Sequence, residues 1–172
     1  MPPPVVSQDP LDRFNAEPAD RAEDALRACN AAPSFAPTVA AGRPYDSADV
    51  LVARAEQVSR SLPWDEVAAA LAAHPRIGDR VAGSSAEATA SRSEQSGMSG
   101  AEESVRAAIV AGNRAYEDRF DQVFLIRAAG RSAAEMLAEL QRRLANDPAD
   151  ERAEVTEQLA QITGLRVRGL VA

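Results

Sequence analysis

Pro63-Trp64-Asp65-Glu66-Val67-Ala68-Ala69-Ala70-Leu71-Ala72-Ala73-His74-Pro75-Arg76-Ile77-Gly78 contains the start, the stripe and the stop of one helix. Pro63 suits a first helical turn, where a backbone N–H has no partner to lose, and Trp64, Val67, Ala68 and Leu71 recur at the spacing of a buried stripe. Pro75 lacks a backbone donor and disfavours helix at the residue before it, which puts His74 at a helix end. Such an end opens onto loops, and loops held by a rigid scaffold are where catalytic groups usually lie. His74 is also the sole histidine in 172 residues. Imidazole, with an ordinary pKa of roughly 6.5, exchanges a proton near neutral pH without help from its surroundings. Position alone favours a plainer role, a lone histidine interacting with the helix dipole.

The helical pattern extends outward on both sides. Upstream, residues 1–8 are proline-rich and residues 1–10 are expected to be disordered, followed by a short amphipathic piece around Leu11 and Phe14. Ala22, Leu26 and Cys29 fall on one face of a helix that runs from Pro18 and is ended by the Pro33 to Pro37 segment, and residues 30–45 read as loop. Ser47 caps a helix through Ser59 with Val50, Leu51, Ala55 and Val58 on one side. Downstream, Val81 to Ala90 has no period and is small and polar, a surface loop or a loop that folds over a ligand. Ser99-Gly-Ala-Glu102 and Ser132-Ala-Ala-Glu135 have the capping-box pattern. The first opens a helix with Val105, Ala108, Ile109, Tyr116 and Phe120, the second one with Met136, Leu137, Leu140 and Leu144. Between them, Val123 to Ala129 is a short apolar run interrupted by Arg127, a strand by periodicity but with no second strand to pair with. Asp147-Pro148 begins a last helix with Val155, Leu159, Ile162 and Leu165 inward. The expected fold is an all-α, single-domain bundle of about six to eight helices over residues 11–172.

Composition narrows the function classes. Apolar residues make up 45% of the chain, enough for a core at this length. The net charge is −7 and every basic residue is Arg, which argues against nucleic acid or anionic membrane as the main partner. Cys29 is alone, so no internal disulfide forms and a cysteine-based metal site is disfavoured. No apolar run approaches the ~20 residues of a membrane span, the amino terminus lacks a signal pattern, and Leu170-Val171-Ala172 is not a peroxisomal tripeptide. The expectation is a cytoplasmic protein.

Several separated motifs give the reading its specificity. They are His74-Pro75-Arg-Ile-Gly78, Ser91-x-x-Glu94-Gln95, Asn113-x-x-Tyr116-x-x-Arg119-Phe120, Phe124-Leu-Ile-Arg-Ala128 with Gly130-Arg131-Ser132, Arg142-Arg143-Leu144-x-Asn146, and Ile162-x-x-Leu165-Arg166. In this order they cover nearly the whole chain after residue 10, and by them the sequence resembles the 2-oxo-4-hydroxy-4-carboxy-5-ureidoimidazoline (OHCU) decarboxylases. Two departures stand out: Asp121 follows the Arg-Phe pair where many relatives have glycine, and Val123 stands where some have proline. These put the geometry of the turn into Phe124 in question.

The resemblance implies a carboxy-lyase that converts OHCU to (S)-allantoin and carbon dioxide in urate degradation, with no cofactor and no metal, in a homodimer. It implies His74, Glu94 and Arg166 as catalytic residues. His74 would be the general acid/base, Glu94 a second acid/base or an anchor for ureido N–H groups, and Arg166 a forked cation for substrate oxygens. It further implies a substrate pocket formed by Pro75, by Ser91, Arg92, Ser93, Glu94 and Gln95, and by the backbone of Phe124, Leu125, Ile126, Arg127 and Ala128. Taken singly, Glu94 reads as an exposed helix-start glutamate, Arg166 as a solvated arginine and the 124–128 run as plain core. An inactive helical interaction module of the same fold, or a related cyclic ureide lyase or hydrolase, fits the same composition.

Overall fold

The computed structural model describes residues 9–79, 83 and 85–172. Of residues 1–10, expected to be disordered, 1–8 fall outside the described residues, as does the first part of the loop expected from Val81, while Asp9 and Pro10 cap and open the first helix. Within them every regular element is helical, which agrees with the all-α class: α1 Pro10–Ala16, α2 Ala19–Cys29, α3 Phe35–Ala40, α4 Ala48–Arg60, α5 Trp64–Leu71, α6 Ala86–Glu94, a 3-10 turn Ser96–Met98, α7 Glu103–Phe120, α8 Ala133–Arg143 and α9 Pro148–Leu170. The helices outnumber the expected six to eight because α3 and α6 fall in stretches that read as loop. Two compact units result, one from the chain up to Leu62 together with Ala160–Ala172, the other from Pro63–Leu159.

The first unit is built largely as its sequence pattern dictates. Asp9 caps α1 by accepting the Leu11 N–H at 2.8 Å, and Ser47 caps α4 by accepting the Val50 N–H at 3.2 Å. Phe14, Ala22, Leu26, Cys29, Leu51, Ala55 and Val58 are buried. Between α2 and α4, α3 forms despite Pro37 because the proline lies in the first turn, where no N–H is needed, and because Phe35, Ala36 and Val39 are fully buried. Two stripes were misplaced by counting apolar residues only. Val50 faces solvent and Val52 takes its place; Leu165 is also exposed, because the inner face of α9 runs through Ile162, Thr163, Arg166 and Val167. Thr163 is inside for a polar reason: Asn30 donates to its Oγ1 at 3.1 Å and to Ser59 Oγ at 3.3 Å, while Asn30 Oδ1 accepts the Ala32 N–H.

The second unit centres on Ile77, Met98, Ile109, Tyr116, Phe124, Ile126, Met136 and Leu140. On α5, Val67, Ala70 and Leu71 are buried, whereas Ala68 is exposed and Trp64 is half-buried under the Arg152 guanidinium, 4.9 Å from the ring centroid. The Ser132–Glu135 capping box closes as expected, with Glu135 N–H on Ser132 Oγ at 3.1 Å and Ser132 N–H on Glu135 Oε2 at 2.7 Å. The Ser99–Glu102 box does not form. The 3-10 turn draws Ser99 Oγ to the Ser96 carbonyl at 2.8 Å, and α7 starts uncapped after Glu102. At the other end of α7, Asp121 adopts the left-handed conformation (φ 53°) and its N–H reaches the Glu117 carbonyl. Aspartate is one of the few residues besides glycine that tolerates this region, so the turn into Phe124 keeps the geometry that glycine would supply. Residues 123–128 form neither helix nor strand, yet Phe124, Leu125, Ile126 and Ala128 are buried.

Candidate active site

His74 follows the end of α5, with its N–H on the Leu71 carbonyl at 3.0 Å, and both it and Pro75 are half-buried. The loop that carries it is held at four points. Ile77 is sunk in the core, and its carbonyl accepts from Asn113 Nδ2 at 3.0 Å. The Gly78 N–H donates to Gln95 Oε1 at 3.1 Å. Arg76 grips Glu117 with its fork, Nη2 to Oε2 at 3.0 Å, which raises the arginine pKa and holds the Glu117 carboxyl below the ordinary range. Gly78 has φ 89°, a conformation that a side chain would strain, so the sharp turn after Ile77 depends on glycine.

α6 supplies the second motif. Ser85 Oγ caps it through the Ala88 N–H at 3.1 Å, and only Ala88 and Ser91 are buried along it, so its small residues gave no readable period. Ser91 is inside, Arg92 and Ser93 are exposed, and Glu94 and Gln95 are half-buried at the C-terminal end. Arg92 donates to the Gly83 carbonyl at 2.7 Å, tying the start of this segment to its helix. Because Gly78 occupies Gln95 Oε1, the amide of Gln95 has its NH2 left as a donor. Directly after it, Gly97 passes so close to the 128–132 turn that a Cβ there would lie 2.2 Å from the Arg131 carbonyl; the approach leaves no room for any other residue.

The third motif is the 124–128 run. The Leu125 carbonyl accepts from Arg143 Nη1 at 2.6 Å, the Arg127 N–H donates to Gln158 Oε1 at 2.8 Å, and the Arg127 carbonyl accepts from Arg131 Nε at 3.0 Å. Arg143 is fixed in turn by Glu151. Both are fully buried, and the Glu151 carboxylate accepts from Arg143 Nε at 2.9 Å, from the Tyr116 hydroxyl at 2.5 Å and from Asn146 Nδ2 at 2.9 Å. Burial first, then the bond to Glu151, pushes the Tyr116 phenol well above its ordinary value. Tyr116, Arg143 and Asn146, all motif residues, thus act as framework. Their partner Glu151, and Gln158, which accepts the Arg127 N–H, have no such motif, since an acid in the first turn of a helix reads as a dipole partner and a glutamine at helical spacing as surface.

His74, Pro75, Ser91 to Gln95 and Phe124 to Ala128 belong to the second unit, and the Gly78–Gln95 bond joins the first two motifs directly. Arg166 belongs to the first unit, on α9, and is buried at 9% exposure, which removes the solvated reading of this arginine. A cleft of about 430 Å³ in the second unit is lined by Trp64, Ala68, Leu71, Ala72, Phe120, Asp121, Gln122, Val123 and Arg152, and includes none of the predicted site residues. Among the described residues no three His, Cys, Asp or Glu side chains are grouped to hold a metal ion. Nor is any helix among the described residues long and apolar enough to cross a membrane.

A family model described as OHCU decarboxylase matches residues 15–168. The 2-oxo-4-hydroxy-4-carboxy-5-ureidoimidazoline decarboxylase of Amia calva is 30% identical over 141 residues, 81% of each chain. A solved OHCU decarboxylase, its crystal structure determined in the presence of (S)-allantoin, has a TM-score of 0.74 at 26% identity and covers 86% of this chain and 97% of that one. The crystal structure of (S)-allantoin synthase gives a TM-score of 0.70 at 15% identity, covering 94% of this chain and 54% of that chain, a likeness of fold. Motif order, fold and sequence match agree, and the chain belongs to the OHCU decarboxylase family.

Proposed function

We propose that this protein decarboxylates OHCU to (S)-allantoin in urate degradation, with His74, Glu94 and Arg166 as catalytic residues and Pro75, Ser91 to Gln95 and Phe124 to Ala128 as substrate-binding residues. The observation that carries the reading is the 3.1 Å bond from Gly78 N–H to Gln95 Oε1, which couples the histidine loop to the end of the helix bearing Glu94. A second observation agrees with a ureide ligand. Ile126 is 3% exposed, and its N–H and C=O have no hydrogen-bond partner among the described residues. Buried peptide groups are normally paired, and a cyclic ureide, whose ring alternates N–H and C=O, is a complementary partner.

The substrate supplies its own electron sink. The bond from the ring carbon to its carboxylate breaks, carbon dioxide leaves, and the electron pair moves into the adjacent C=N bond. Protonation of the resulting intermediate on one ring face gives a single enantiomer. The protein has to orient the ring, move protons and exclude water. His74 acts on the substrate hydroxyl and in the later proton delivery, with Glu94 as second acid/base or ureido anchor. Arg166 holds oxygens that keep or gain charge; clamping the departing carboxylate would stabilise the ground state instead.

The same reading makes residues 11–172 one domain, in keeping with a family match that runs through both units. It makes the protein a cytoplasmic homodimer, the cytoplasmic part in keeping with a lone, buried Cys29. The test is freshly generated OHCU followed by circular dichroism. The wild-type protein should accelerate the appearance of one optical form of allantoin, whereas unchanged slow racemic decay would overturn the assignment.

A further inference from the structure

We propose that Gln158, on α9, is a positioning residue for substrate, setting the register of the 124–128 segment so that the peptide group of Ile126 meets the ureide. The inference rests on the function proposed above and adds a residue that no motif contains.

In an extended chain, successive residues turn their peptide groups to opposite edges. The observed bonds are consistent with that alternation. The Leu125 carbonyl and the N–H and carbonyl of Arg127 all go to framework side chains, Arg143, Gln158 and Arg131 respectively. Ile126, between them, pairs with no described residue. The segment is therefore anchored on both sides of Ile126, whose own peptide groups are left to meet a ligand. It gains no support from helix or sheet hydrogen bonds, so beside the core packing of Phe124, Ile126 and Ala128 these three side chains set where the Ile126 peptide stands.

The anchors differ in what else they do. Arg143 also neutralises buried Glu151, so its removal threatens the fold. Gln158 is neutral and 8% exposed, and its one described side-chain bond is the 2.8 Å contact to the Arg127 N–H. A displacement of about 1 Å in the Ile126 peptide is enough to spoil hydrogen bonds to a bound ring. Because that peptide binds ureide in the ground state and transition state alike, its loss should appear in KM rather than kcat.

The experiment compares wild type, Gln158→Met, which removes the acceptor at nearly constant volume, and Gln158→Glu, which keeps it. With OHCU as substrate, Gln158→Met should raise KM about tenfold with kcat within about threefold of wild type, and Gln158→Glu should return KM to within about threefold. Binding of (S)-allantoin by calorimetry should weaken by the same factor in Gln158→Met. A merely structural glutamine would lower the melting temperature and the active fraction while leaving KM alone, and that result overturns the proposal. If Gln158→Met does not fold, Arg131→Met, which removes the anchor on the Arg127 carbonyl, decides by the same split. A wild-type protein inactive on OHCU defeats the parent assignment; an active one whose KM is unmoved in these variants defeats only this inference.

Discussion

Two polar clusters in the Pro63–Leu159 unit use similar side chains to opposite ends. In the first, Arg143 and Glu151 are fully buried and saturate each other: Tyr116, Asn146 and Arg143 fill the Glu151 carboxylate, and Gln122 donates to the Tyr116 hydroxyl at 3.1 Å. In the second, formed by residues proposed above for the site, His74, Glu94 and Gln95 are half-buried, and three buried groups of this unit have no partner among the described residues: the peptide of Ile126, Asn113 Oδ1 and Arg127 Nε. A saturated network fixes backbone and holds its protons. Burial first, and then the bond to Glu151, move the Tyr116 phenol further up from a value already above neutral. An unsaturated cluster keeps capacity for a ligand, and rigidity in the one is what gives the other its geometry.

The largest expected effect comes from opening the saturated cluster. Arg143→Met leaves Glu151 buried without a counter-charge and should cost about 3–5 kcal/mol in urea denaturation, and pairing it with Glu151→Met should recover much of that loss. If the single variant is as stable as wild type, the cluster is not the framework described here. Next in size is Arg166→Lys, which keeps the charge but loses the fork. It should reduce kcat/KM by roughly tenfold to a hundredfold, against no measurable change for the exposed Arg152→Lys. Equal small effects would remove Arg166 from the proposed catalytic residues.

Smaller effects sharpen the comparison at its edges. Asp121→Gly should stabilise the turn into Phe124 by about 0.5–1 kcal/mol, read as a rise in melting temperature, because the residue already sits at φ 53°. The least effect is that of acid on the histidine loop. Glu117 has a depressed carboxyl pKa, from its bond to Arg76 first, so its contribution is present above the ordinary carboxylate range and is lost as pH falls through the lowered folded value. The pair is largely exposed, so the contribution is small. Hydrogen exchange at Gly78 should quicken in that acid window before global unfolding; exchange that tracks global unfolding alone would show that the tether is idle.

The fold class was legible because most helices announce themselves. Ser47 and Ser132 cap as written, and Leu26, Leu51, Met136, Leu140 and Leu159 fall inward at helical spacing. What stayed hidden has a common physical cause. On α6 and on the inner face of α9, small or polar residues such as Ala88, Ser91, Thr163 and Arg166 are buried, and a count of apolar positions cannot register them. The site motifs were legible as a pattern, but their division of labour was not. Only coordinates separate Tyr116 and Arg143, which build, from Gln95, which joins two motifs, and Glu151 and Gln158 have no local sequence signal at all.

The most direct test of the account is the His74→Asn variant, assayed on fresh OHCU by circular dichroism with its melting temperature measured alongside. The expected outcome is a loss of stereospecific turnover of about 10²- to 10⁴-fold, as for removal of a general acid/base, with the melting temperature close to that of wild type. Wild-type turnover in that variant would place the proton transfer elsewhere and contradict the assignment of His74.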